Sequence, residues 1–173
     1  MKHIKLVLLF VMLASVFTCE RDDLCPETTP TTPSLIIEFF DNATQDSPKN
    51  VFDLYVIGED NNIVLPGYSL VDTNELILPL RTDQDSTTFK IISNAVLDSD
   101  GNLTDDGNED IVTISYQRED VYVSRACGYK TIFNNVVVSV DGGTDGNWII
   151  FTEAAFDNLT IEDETITHYF FYH

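Results

Sequence analysis

From Leu35 onward the chain alternates apolar and polar positions with a period of two, in short runs. Leu35, Ile37 and Phe39 share one face of a strand over 35–40, because successive side chains of a strand point to opposite faces. A polar connection over 41–50 follows. Phe52, Leu54 and Val56 then alternate against Asp53 and Tyr55 in a second strand over 51–57. The run from Ile63 ends in the turn signal Pro66-Gly67. Short strands are predicted over 76–80 and 87–92. Pro79 has no N–H for a ladder, so it puts the first of these at a sheet edge.

The pattern is denser further on. Runs over 111–116 and 121–127 flank the polar Gln117-Arg118-Glu119-Asp120 and read as a hairpin. A long strand over 131–140 has a bulge or bend at Asn134-Asn135. A Gly-rich loop over 142–147, a strand over 148–151, one possible helical turn over 153–159 and a strand over 165–172 complete the chain. No segment sustains a helical period. Eight or nine short strands predict an all-β domain over 34–173: a single antiparallel β-sandwich, immunoglobulin-like, with a small β-barrel as the alternative.

The segment before the strands has a different character. Met1-Lys2-His3-Ile4-Lys5 is basic, and an apolar run reaches Thr18. The run is too short to span a bilayer comfortably and fits a secretory signal peptide over 1–18. Val16-Phe17-Thr18-Cys19 resembles the lipobox of bacterial lipoproteins. That resemblance implies acylation of Cys19 and removal of everything before it. Two or three acyl chains anchor stably, where one is marginal. Glu20-Arg21-Asp22-Asp23 resembles the export signal of surface-exposed lipoproteins of Bacteroidota. It implies attachment to the outer membrane at the cell surface, with a periplasm-facing orientation as the alternative. Residues 19–33 form the tether, and its Pro/Thr-rich end (26–33) is extended and semi-rigid.

The layout as a whole is similar to an uncharacterised family of small Bacteroidota lipoproteins. The residues that carry this are 19–25 (CERDDLC), 30–33 (PTTP) and 121–131 (VYVSRACGYKT). Membership implies an extracytoplasmic lipoprotein domain and brings no activity with it.

The chain has three cysteines. With Cys19 acylated, Cys25 and Cys127 remain, and an even pair in an oxidising compartment reads as a disulfide. The alternative is a reactive thiol at Cys127, with Arg125 and Lys130 close in sequence.

Asp and Glu number 29 against 9 Lys and Arg, a formal charge of -20. This excludes a general nucleic-acid binder, which needs cations to displace counterions, and argues against docking on anionic head groups. The scarce cations Arg125 and Lys130, with Tyr129 between the strands, form a candidate partner patch for an envelope protein or glycan.

Asp98, Asp100, Asn102, Asp106 and Glu109 match places one, three, five, nine and twelve of a calcium loop. Leu103 stands where that loop needs Gly, and strand-like sequence flanks it. Tyr68, Trp148, Tyr169 and Tyr172 are a candidate aromatic platform for sugar, or core. No nucleophile elbow, C-x-x-C, H-E-x-x-H or phosphate-cradling motif is present. The expectation is a non-catalytic binding or accessory module of the envelope without a cofactor, the alternative a weak calcium- or glycan-binding module.

Overall fold

The computed structural model describes residues 24–104, 107–142 and 146–173. The segment expected to be a signal peptide, Cys19 and Asp106 lie outside the described residues. The chain forms two compact units: residues 122–129 with the N-terminal segment up to Thr29, and residues 30–121 with 130–173.

The second unit is a β-sandwich. Nine strands follow in chain order: β1 (Leu35–Phe40), β2 (Val51–Gly58), β3 (Ile63–Thr73), β4 (Glu75–Leu78), β5 (Ser86–Ser93), β6 (Asn108–Ser124), β7 (Gly128–Asp141), β8 (Phe151–Ala154) and β9 (Tyr169–Tyr172). One sheet has the order β4-β1-β9-β8, the other β3-β2-β5-β6-β7. Pairing is antiparallel except between β1 and β9, which run parallel with Phe39 beside Phe171. The sheets pack face to face and do not close into a barrel. Among the described residues there is no helix.

The period-two pattern fixes which faces meet. Leu35, Ile37 and Phe39 of β1 and Leu76 and Leu78 of β4 are fully buried. They pack in one core with Phe89, Ile91, Val112, Ile114 and Phe133 of the other sheet. In β2 the alternation breaks at Asp53, whose φ of 44° turns Phe52 out to 58% exposure while Leu54 and Val56 stay in the core. A small cluster of Tyr55, Ile92 and Ala95 is joined by Leu97 and Leu103 of the following loop.

Several boundaries differ from the sequence reading, among them the strand expected over 165–172, which is reduced to β9. Pro66-Gly67 does not end a strand but lies within β3, an edge strand that tolerates the missing donor. The strand expected over 148–151 is displaced to β8, and the segment over 153–159 holds no helical turn. The hairpin expected around 117–120 does not turn there. β6 runs straight through these polar residues, because they pair with polar residues of β7 across the ladder. Asn135 donates to Gln117 at 3.0 Å, Asn134 to Glu119 at 3.0 Å, and Thr131 to Asp120 at 2.8 Å. The turn follows Ser124 instead.

Side chains and, along one of them, backbone carbonyls occupy the outward amides of two edge strands. The N–H of Glu75 reaches the Thr73 hydroxyl and that of Ile77 the Tyr68 hydroxyl, covering β4. Along β7, Thr131 donates to Thr32 Oγ1, Phe133 to Ile161 O, Val136 to Leu159 O and Val138 to Tyr169 Oη. Unpaired edges invite strand addition, and covering them removes the template.

Candidate functional site

The first unit carries the most distinctive chemistry. The turn between β6 and β7 is Arg125-Ala126-Cys127, closed by Gly128 at φ 72°, a conformation with no steric cost for glycine. The Cys127 amide donates to the Ser124 hydroxyl at 3.0 Å. Cys25 and Cys127 form a disulfide with Cα atoms 4.8 Å apart. In the tether the Thr29 amide closes a turn onto the Pro26 carbonyl at 3.0 Å. Cys127 is therefore bonded, not a free thiolate.

Tyr122 and Tyr129 flank the turn with ring centroids 5.4 Å apart, edge to face. Both stay open to solvent, 58% and 69% exposed, and Leu24 beside Cys25 is 69% exposed. Edge-to-face pairing orders two rings whose faces and hydroxyls remain free for other contacts.

Arg125 is exposed and stands apart from the other described cations. Lys49 pairs with Asp41, Arg81 with Asp60 and Asp83, Lys90 with Glu109, and Arg118 with Asp85. Lys130 donates to the Glu162 carbonyl at 2.9 Å. Among the described residues Arg125 alone of the Lys and Arg side chains has no such partner. Of the expected patch, Arg125 and Tyr129 are thus open, while Lys130 is engaged. Tyr122 joins the patch. The displaced turn hid it from the sequence reading, although Tyr122 and Tyr129 are placed almost symmetrically about it.

Among the described residues of the expected calcium set, Asp98 and Asn102 are joined by hydrogen bonds and Glu109 pairs with Lys90. Asp98 Oδ1 accepts the amides of Asp100 at 2.9 Å and Asn102 at 2.8 Å, and the Asn102 side chain reaches its second oxygen at 3.2 Å. These hydrogen bonds hold the Asp98 carboxyl below its ordinary range. Leu97 and Leu103 form an isolated backbone bridge across the loop, and the Leu103 side chain in the glycine place packs against the Tyr55, Ile92 and Ala95 cluster. Glu109 lies in β6 beside Lys90. No group of three or more His, Cys, Asp or Glu that could hold a metal occurs among the described residues.

The aromatic set is dispersed as well. Trp148 donates to the Ile91 carbonyl at 3.1 Å and packs on Phe39. Tyr169 donates to the Val136 carbonyl, and Tyr68 serves the edge of β4. Tyr172 stacks on Phe151 at 4.1 Å and is 6% exposed.

His168 is 1% exposed and accepts the Ile36 amide on Nδ1 at 2.9 Å. Burial lowers its pKa from 6.5, opposed by the charge of Asp163. The terminal His173 is held too: its carbonyl accepts Lys49 Nζ at 2.8 Å, and its ring packs on Phe39 and Trp148. Asp110 is fully buried and accepts the amides of Trp148 and Ile149 at 3.4 and 2.8 Å. Sequence reading missed this anchor, since one Asp among 29 acids carries no local signal.

A family model described as a family of unknown function (DUF6452) matches residues 53–173. No curated protein and no solved structure matches the chain.

Proposed function

The chain belongs to this family, which supplies no activity, so we propose from its own residues a lipid-anchored, non-catalytic binding module of the cell envelope. Its place is the outer membrane of a Bacteroidota cell, held by acylated Cys19 and facing the surface. The signal-like segment before Cys19 and the acidic residues after it support the anchor. One observation carries the binding role. The disulfide-closed tip presents an exposed tyrosine pair and an unpartnered Arg125 in a chain of charge -20. Exposed aromatics and arginine are the residue types enriched where surfaces meet partners. The histidines support the non-catalytic part, since His168 is committed to a backbone amide and the His173 ring packs on Phe39 and Trp148.

The test is metabolic labelling with a palmitate analogue in cells that make the full-length protein. The wild type should label and fractionate with outer membranes, and Cys19→Ser should do neither. An unlabelled, soluble wild type would refute the anchor. Protease added to intact cells then distinguishes the surface from the periplasmic face.

A further inference from the structure

We propose that the component met by the tip is the lipid surface that holds the anchor. Tyr122, Tyr129 and Leu24 rest at headgroup level, with Arg125 toward the phosphates. The inference rests on acylation of Cys19 and names the partner of the site described above.

The covalent chain argues for it first. Cys25 lies six residues after Cys19. Six residues span at most roughly 20 Å fully extended, and about 14 Å on average as flexible coil. The disulfide then holds the Cα of Cys127 at 4.8 Å from that of Cys25. The Pro/Thr-rich residues 26–33 therefore add nothing to the distance between anchor and tip. A patch held this near a surface meets it at an effective concentration on the order of millimolar. Even a weak affinity suffices to keep it docked.

Chemistry argues for it second. Tyrosine has an apolar ring and a polar hydroxyl, and such rings settle at membrane interfaces. Arginine lays its stem along apolar surface and offers a planar fork to phosphate. Described residues 24–29 and 122–129 hold one acid, Glu27, and one base, Arg125. The turn and Leu24–Thr29 thus carry no net charge, residues 20–23 before them add a charge of -2, and the larger surplus of acid elsewhere in the chain disfavours contact through its other surfaces.

The mature chain, residues 19–173, is oxidised so that Cys25 and Cys127 are bonded. Its remaining thiol at Cys19 is coupled to a maleimide phospholipid in phosphatidylcholine vesicles with brominated acyl chains. Trp148 is the single tryptophan and sets the baseline; Tyr122→Trp and Tyr129→Trp add reporters. The added emission should move to shorter wavelength on vesicles and lose intensity to bromine. Reporters that keep water-like emission and escape quenching overturn the proposal. A photocrosslinker at position 125 in native membranes should capture lipid, and capture of an envelope protein overturns it as well. Because the anchor is supplied chemically here, failure of the vesicle test concerns the tip alone. Failure of palmitate labelling concerns the anchor alone.

Discussion

The disulfide offers the sharpest test of the energetics. Replacing Cys25 and Cys127 by Ser removes a crosslink between residues 102 positions apart. In the chain-entropy model, closing a loop of that length restricts the unfolded ensemble by about 4–5 kcal/mol. Neither cysteine lies in the core of the sandwich, so the native packing has little to lose. The whole effect then falls on the unfolded state. The double variant should lose about 3–5 kcal/mol, and its melting temperature should fall by roughly 6–20 °C at 2–4 °C per kcal/mol. Urea unfolding followed by Trp148 emission reads the loss, since Trp148 packs on Phe39. Each single variant should lose as much as the double, because either one breaks the same bond. A loss below about 1 kcal/mol with an unchanged urea slope would refute the loop-closure reasoning.

Further outcomes follow from individual contacts. Burial lowers the pKa of His168 from 6.5, so its contribution to stability is complete above that value and is lost as pH falls through the lowered pKa. His168→Asn keeps an acceptor without titrating, and its urea midpoint should decline less than the wild type's between pH 7.5 and 5, windows in which histidine is the titrating side chain; equal declines would refute this. Asp110→Asn should cost about 1–3 kcal/mol by leaving a buried amide opposite an NH₂ group, read by urea unfolding, and a neutral effect would show that Asp110 does not anchor Trp148 and Ile149. Tyr68→Phe uncovers the Ile77 amide on β4 and should cost about 1 kcal/mol and raise concentration-dependent association in light scattering. Millimolar calcium should leave the melting temperature unchanged, since Asp98 already serves its own loop; a calcium-dependent rise that Asp98→Ala abolishes would overturn that assignment.

The sheet class was legible in the sequence because burial in a sandwich writes a period of two. Leu35, Ile37 and Phe39 read correctly, as did the edge position of the strand before Pro79. The central turn was not legible. Gln117 to Asp120 look like loop residues until β7 supplies Asn135, Asn134 and Thr131 as their partners, and such pairing is nonlocal. The same blindness put Cys127 on a strand face and left Tyr122 out of the patch. The calcium-like spacing over 98–109 is ambiguous for a related reason. Asp and Asn side chains that cap their own turn share residue types with those that bind a cation, and Leu103 in the glycine place and the flanking strands are the features that set this loop apart.

The bond between Cys25 and Cys127 also decides how tension travels. A pull on the N-terminal segment reaches Cys25 and passes through sulfur directly into Cys127. The residues between them, which include β1 through β6, bear none of the load between those two points. β1 is not peeled from β4 and β9, although it is the first strand after the tether. Tension applied there would instead load the short covalent path to the turn between β6 and β7. A single bond thus moves the point of loading from the first strand to the turn between β6 and β7.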